Sequence, residues 1–302
     1  MKIHFRWLGV ISLLAVSIIL ILFSAFWMSN KTNGKIEVNG RDRKYLLHVP
    51  ETYGPKEPVP LIITIHGYAE WPAHQAQISH WNELADQYGF IVVYPAGTGF
   101  PLHWRTSGGV NDQGSMEDVL FLGELIDQLE VDYNIDPARI YVNGFSNGGG
   151  MTYLAGCKLQ KRIAALGMIS GAYLTEKENC LSIRPVPTIL FHGKLDQIVP
   201  YQGGRSKSFD YPFPDIEQWV VELASTNGCQ VEKPESSTIG EVVEEKYFNC
   251  QSGAEVIFYS ILNGGHAWPG GEPLPEWIAG YTTDEINATE LMWDFFQRHP
   301  LP

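Results

Sequence analysis

The stretch Ile140-Tyr141-Val142-Asn143-Gly144-Phe145-Ser146-Asn147-Gly148 decides how the rest of the chain reads. A β-rich run enters a Gly-x-Ser-x-Gly turn, and Gly149, Gly150 and Met151 carry the chain on into a helix. Small residues on both sides of the serine permit a sharp strand-to-helix turn that lifts its hydroxyl above a sheet. A helix starting near Asn147 directs its free N–H groups and positive end at the same place. Alone, such a motif recurs by chance. Between a strand and a helix it marks Ser146 as a candidate nucleophile and the Asn147 N–H as one donor to an oxyanion formed there.

A serine hydroxyl needs a base, and the base needs an orienting acid. In sheets with this turn the order along the chain is Ser, then Asp or Glu, then His. Beyond Ser146 only His192 and His266 precede the terminal helix. His266 lies in Asn263-Gly264-Gly265-His266-Ala267-Trp268-Pro269-Gly270-Gly271, directly after a β-rich run, where flanking glycines let an imidazole swing over the sheet. It is the candidate base. Asp196 follows Phe191-His192-Gly193 in a strand-end loop and is its candidate acid, with Asp118 and Asp284 as the other carboxylates available. His192 reads as a structural residue at the strand end.

Working outward, short β-rich runs alternate with helical patterns, as in a mostly parallel sheet with crossover helices. Lys35–Val38 and Arg43–Val49 predict a hairpin turned at Asn39-Gly40. Leu61–His66, Phe90–Tyr94, Arg139–Asn143, Ala164–Ile169, Thr188–Phe191 and Glu255–Ile261 bring the count to eight strands. Asp136-Pro137 reads as the turn into the fifth of them. Helices are expected over Ile78–Tyr88, Glu117–Leu129 and Asn287–Arg298. No repeat or linker divides residues 35–302, which read as one domain. The loop His66-Gly67-Tyr68 ends the third strand, so Tyr68 N–H is the expected second oxyanion donor. Trp104 and Trp268, close to these loops in sequence, are candidate pocket residues, with core packing the alternative for each.

Composition narrows the class. Apolar residues are 44% of 302 and charged ones 18%, enough to build a sizeable core. A net charge of −13 without a Lys/Arg cluster excludes nucleic acid as an expected partner. Cys157, Cys180, Cys229 and Cys250 contain no Cys-x-x-Cys pair, so no zinc site, and no metal or cofactor, is expected. Their grouping favours local bridges Cys157–Cys180 and Cys229–Cys250, one of three possible pairings. Bridged cysteines suit an exported protein. The N-terminus agrees: Lys2 and Arg6 precede an uncharged apolar run from Trp7 to Met28. Residues 1–34 therefore read as a signal-anchor or a signal peptide. The run's length favours the anchor, since a cleaved leader has a shorter core and a small-residue site. The expected location is outside the cytoplasm, membrane-anchored or secreted.

Taken together, the motifs resemble the polyhydroxybutyrate depolymerase/feruloyl esterase family of secreted α/β-hydrolases. The likeness runs through Ile65-His66-Gly67, Leu84-Ala85-Asp86, Glu117-Asp118-Val119, Asp136-Pro137-Ala138-Arg139-Ile140-Tyr141-Val142, Gly144-Phe145-Ser146-Asn147-Gly148-Gly149, His192-Gly193 with Asp196, Asn227-Gly228-Cys229, and Gly264-Gly265-His266-Ala267-Trp268-Pro269-Gly270. The resemblance implies an α/β-hydrolase fold, a triad at Ser146, Asp196 and His266, and bridged cysteines. It also implies hydrolysis of hydroxyalkanoate esters, or of feruloyl and acetyl esters of polysaccharides, with no cofactor. A non-catalytic membrane-tethered binding protein and a serine peptidase are the alternative readings of the same fold.

Overall fold

A computed structural model describes residues 31–107, 113–175, 180, 184–206 and 208–302. The apolar run at 7–28 lies outside the described residues. Among the described residues no helix is long and apolar enough to cross a membrane.

The fold is built on one ten-stranded sheet of order β1-β2-β4-β3-β5-β6-β7-β10-β9-β8. Strands β1 (Gly34–Val38) and β2 (Arg41–His48) form the expected antiparallel hairpin, with Asn39 and Gly40 both at positive φ. The next strands are β3 (Val59–Ile65), β4 (Ile91–Pro95), β5 (Ile135–Phe145), β6 (Ala165–Ile169), β7 (Thr188–Gly193) and β10 (Val256–Ile261). All six run parallel, in the order β4-β3-β5-β6-β7-β10. The strand β5 starts earlier than expected. Its pairing with β3 jumps from Val59↔Ile135 to Leu61↔Ile140, so the Asp136-Pro137 turn is taken up as an irregularity inside the strand.

The sequence reading expected eight strands, and the two it lacks are β8 (Glu235–Ile239) and β9 (Val242–Tyr247) at the far edge. Every residue of β8 is exposed, so it carries no apolar alternation to read. A second difference concerns the helix expected over Ile78–Tyr88. It is two helices, α1 (Pro72–Ser79) and α2 (Trp81–Tyr88), separated by His80 in the left-handed region at φ 56°.

The parallel strands read as continuous apolar runs because both faces are covered. Ile62, Val92 and Tyr141 point into one core, shared with Trp81 of α2 and with Trp293 and Phe296 of α7 (Ala288–Gln297). Leu61, Ile63, Val93 and Val142 point into the other, packed by α3 (Gln113–Asp132) and α4 (Asn147–Lys158) through Leu125 and Leu154. A third cluster lies under α5 (Ile216–Thr226), built on Trp219, Val220 and Phe258, and the short α6 (Glu276–Ala279) precedes α7. Each such side chain removed from water is worth about 1.5–3 kcal/mol. Disulfides join Cys157 to Cys180 and Cys229 to Cys250. The sheet thus delivers the C-terminal ends of β3, β5, β7 and β10 to one rim, where α/β sheets hold their ligands.

Candidate active site

Ser146 occupies the turn between β5 and α4 at φ 56° and ψ −119°, a conformation costly for a residue with a side chain. Three backbone bonds hold it there. Its N–H donates to Ile169 O at 2.9 Å, and its carbonyl accepts from Gly150 N (3.1 Å) and Ala172 N (2.9 Å). The flanking glycines are explained by close approach. A Cβ on Gly144 would lie 2.4 Å from Gly148 O, and one on Gly148 would lie 2.1 Å from Ile65 O. Any side chain there would push α4 off the ends of β3 and β5.

Asp196 sits in the loop after β7 with its carboxylate fully engaged. Oδ1 accepts from the N–H groups of Ile198 and Val199, both at 2.8 Å, and Oδ2 lies 2.7 Å from His266 Nδ1. Burial alone would raise its pKa. The imidazoles of His266 and His192 outweigh that and hold it below the usual carboxylate range. His266, in the loop after β10, is itself buried, and its ring centroid is 4.8 Å from that of Phe145, the residue before Ser146. With Nδ1 committed to Asp196, Nε2 is the nitrogen left for a hydroxyl. Among the described residues no hydrogen bond joins His266 to Ser146; in sites without substrate this contact is often loose.

The other carboxylates are employed elsewhere. Asp118 is buried in an ion pair with Arg43 (2.9 Å) and accepts from Arg105 N, and Asp284 is exposed. Neither meets His266. His192 has a further contact that its sequence position did not suggest. Its Nε2 is 2.9 Å from Val199 O and 3.3 Å from the same Oδ2 of Asp196 that holds His266.

Gly67 and Tyr68 lie against the serine: a Cβ on Gly67 would be 3.4 Å from Ser146 Cβ. Tyr68, Ser146 and Asn147 line one cleft of about 750 Å³. Asn147 does more than present its N–H. Its side chain grips the Trp104 backbone in both directions, Oδ1 accepting from Trp104 N (2.7 Å) and Nδ2 donating to Trp104 O (3.0 Å). Trp104 borders the cleft, although its side chain is 2% exposed and packed in the core with Leu125 and Leu154, and it donates from Nε1 to His66 O. Trp268 does not line it. That side chain is 2% exposed within the core of α7 and bonds Thr289 Oγ1 through Nε1.

The cleft walls come largely from residues not picked out from sequence. Tyr173 and Trp219 stack at 3.6 Å, and Phe209 meets Tyr68 edge-on at 5.3 Å across the mouth. The alternation Phe209-Asp210-Tyr211-Pro212-Phe213 was the available signal for this aromatic rim. Arg105 and Glu222 are its charged members. Among the described residues no group of three or more His, Cys, Asp or Glu could hold a metal ion.

The chain is similar to known esterases in sequence and in fold. Residues 44–188 match the family described as Esterase PHB depolymerase. The chain is 34% identical over 163 residues to a bifunctional acetylxylan esterase/xylanase of Neocallimastix patriciarum, covering 54% of this chain and 23% of that protein. It is 30% identical over 270 residues to feruloyl esterase B of Piromyces equi, covering 86% of this chain and 46% of that one. The chain therefore spans less than half the length of either relative. Among solved structures, an acetyl xylan esterase from Aspergillus awamori superposes with a TM-score of 0.60 at 15% identity. That match covers 87% of this chain and 98% of that one, and shows the shared α/β-hydrolase fold.

Proposed function

We propose that this chain, which belongs to the polyhydroxybutyrate depolymerase/feruloyl esterase family, hydrolyses carboxylic esters through an acyl-enzyme on Ser146. One observation carries the reading: Asp196 holds His266 at 2.7 Å, with the imidazole packed against the residue that precedes a strained, cleft-lining serine. Ser146 is positioned to attack an ester carbonyl as His266 Nε2 takes its proton. The imidazolium so formed is stabilised by Asp196, whose charge is secured by two backbone N–H groups and by the imidazoles of His266 and His192. Tyr68 N–H and Asn147 N–H receive the tetrahedral oxyanion. His266 then returns the proton to the leaving alcohol, and water, activated by the same base, releases the acid.

The aromatic cleft suits a planar or short acyl group, and about 750 Å³ accommodates a ligand of that size with part of its alcohol. Relatives named for feruloyl and acetylxylan ester cleavage support the same substrate range, with hydroxybutyrate oligomers a third class of ester. We place the enzyme outside the cytoplasm, where its two disulfides persist. It would be tethered or released according to the fate of residues 1–34.

The test is a side-by-side assay of methyl ferulate, acetylated xylan and hydroxybutyrate oligomers with the wild type and Ser146→Ala. Turnover of at least one ester, lost in a folded Ser146→Ala protein, is expected. Undiminished hydrolysis by that variant would remove Ser146 from the mechanism.

A further inference from the structure

Of the buried titratable groups that the mechanism leaves unused, one, His66, lies next to the oxyanion loop. His66 directly follows β3 and has no solvent exposure. Both of its ring nitrogens are engaged. Nε2 accepts from Gly97 N–H at 2.9 Å, so it must carry the lone pair. Nδ1 faces Gly67 O at 2.7 Å, so it must carry the proton. The two contacts together define a neutral imidazole in a single tautomer. Burial agrees, lowering its pKa to about 4.

That bond has a geometric consequence. The Gly67–Tyr68 peptide is trans, so the Tyr68 N–H points opposite to the Gly67 C=O. The carbonyl is held by His66 Nδ1–H and, at 3.3 Å, by the Glu70 N–H, which leaves the Tyr68 N–H on the opposite side of the peptide, in a residue that shares the cleft with Ser146. The other side of Gly67 is fixed as well, because its N–H donates to Glu70 Oε2 at 2.9 Å. Glu70 also stands 3.6 Å from His74 Nδ1. A glycine would otherwise be the residue most free to flip its flanking peptides. Here both flanks are tied, and Trp104 Nε1 on His66 O closes the loop from the side of Asn147.

We propose that His66 is a positioning residue for ester hydrolysis: as a neutral Nδ1–H imidazole it sets the Gly67–Tyr68 peptide with its N–H facing the oxyanion, while Glu70 anchors the same loop. This rests on the reading of Ser146 as nucleophile and adds a device that preorganises one oxyanion donor before substrate arrives. Preorganised donors act on the transition state more than on the bound ester, so kcat should carry the effect.

The test compares His66→Gln and His66→Asn on one p-nitrophenyl ester. Glutamine can reach the Nε2 position and keep an acceptor for Gly97, but it has no donor at Nδ1. Asparagine places an amide N–H near Nδ1. We expect His66→Gln to lower kcat about 10²-fold with KM changed less than about threefold, the signature of a misplaced oxyanion donor. His66→Asn should recover at least about tenfold of that loss. A folded His66→Gln with wild-type kcat overturns the proposal, as does a His66→Asn no better than His66→Gln. If the core variants do not fold, Glu70→Ala probes the loop from a less buried side. An approximately tenfold lower kcat at unchanged KM supports the assignment, and an unchanged kcat overturns it. An inactive Ser146→Ala beside a fully active His66→Gln sinks this inference alone; an active Ser146→Ala sinks the reading beneath it.

Discussion

The floor of the cleft and its rim are built on opposite plans. On the floor, Ser146, Asp196, His266 and His66 are each no more than 7% exposed, and backbone or side-chain bonds hold every one of them. At the rim, Tyr68 is 41% and Tyr211 52% exposed, and among the described residues the contacts there are between rings, such as Tyr68 edge-on with Phe209. The floor is over-determined, as a site must be to keep a non-glycine residue at φ 56°. The rim is held by weak, interchangeable contacts. On the proposed function, chemistry belongs to the floor and substrate choice to the rim. Substitutions below should strike kcat, and substitutions above should strike KM and selectivity.

Asp196→Asn should break the floor most severely. It removes the charge that fixes the His266 tautomer and stabilises its protonated form. A fall in kcat of about 10⁴-fold is expected, with KM nearly unchanged. A drop of less than tenfold would mean that another acid orients His266.

The next effect is on stability and depends on pH. Burial lowers the His66 pKa from 6.5 to about 4, against smaller opposing contributions from Gly67 O and Glu70, with His74 and His103 also facing it. Between those values the unfolded chain binds the proton and the folded chain does not. Stability from this group is therefore complete above about pH 6.5 and is lost as pH falls toward 4, by about 3 kcal/mol. Asp196 acts lower: its depressed carboxyl contributes above the ordinary carboxylate range and loses its contribution as pH falls below it. Urea unfolding at pH 7, 5.5 and 4 checks this. The wild type should lose more stability across that range than His66→Gln, and parallel curves would show that His66 titrates normally in the fold.

The smallest expected effect belongs to the rim. Phe209→Ala should raise KM for methyl ferulate about three- to tenfold, the worth of one aromatic contact, and leave kcat on p-nitrophenyl acetate within about twofold. An equal loss on both esters would place Phe209 on the floor instead.

How much of this was legible beforehand follows the same division. Ser146, Asp196 and His266, the proposed triad, could be picked out together because the proposed chemistry calls for those residue types in that chain order, and the close approaches at Gly144 and Gly148 impose glycine. The six parallel strands were legible because both faces are buried, so each is an unbroken apolar run. The β8–β9 hairpin was not, since Glu235–Ile239 is wholly exposed and its residues obey no core. The break at His80 was hidden because Ile78 before it and Trp81, Leu84 and Ala85 after it keep helical spacing across a left-handed residue that sequence does not mark. Trp104 and Trp268 were equivalent as sequence, two tryptophans near candidate loops. Only the tertiary fold puts the first on the cleft and the second under α7. The bonds of His66 and His192 were invisible for a related reason, since each partner lies on another loop or across a turn.

The central claim is that Ser146 is the nucleophile, and its most direct test is covalent. The protein is incubated with an organophosphonate ester that phosphonylates activated serines, and the modified peptide is mapped by mass spectrometry as activity is followed. Loss of hydrolysis in step with one adduct on Ser146, absent from His266→Ala, is the predicted result. Full inhibition with Ser146 unmodified, or an adduct on a different serine, would contradict it.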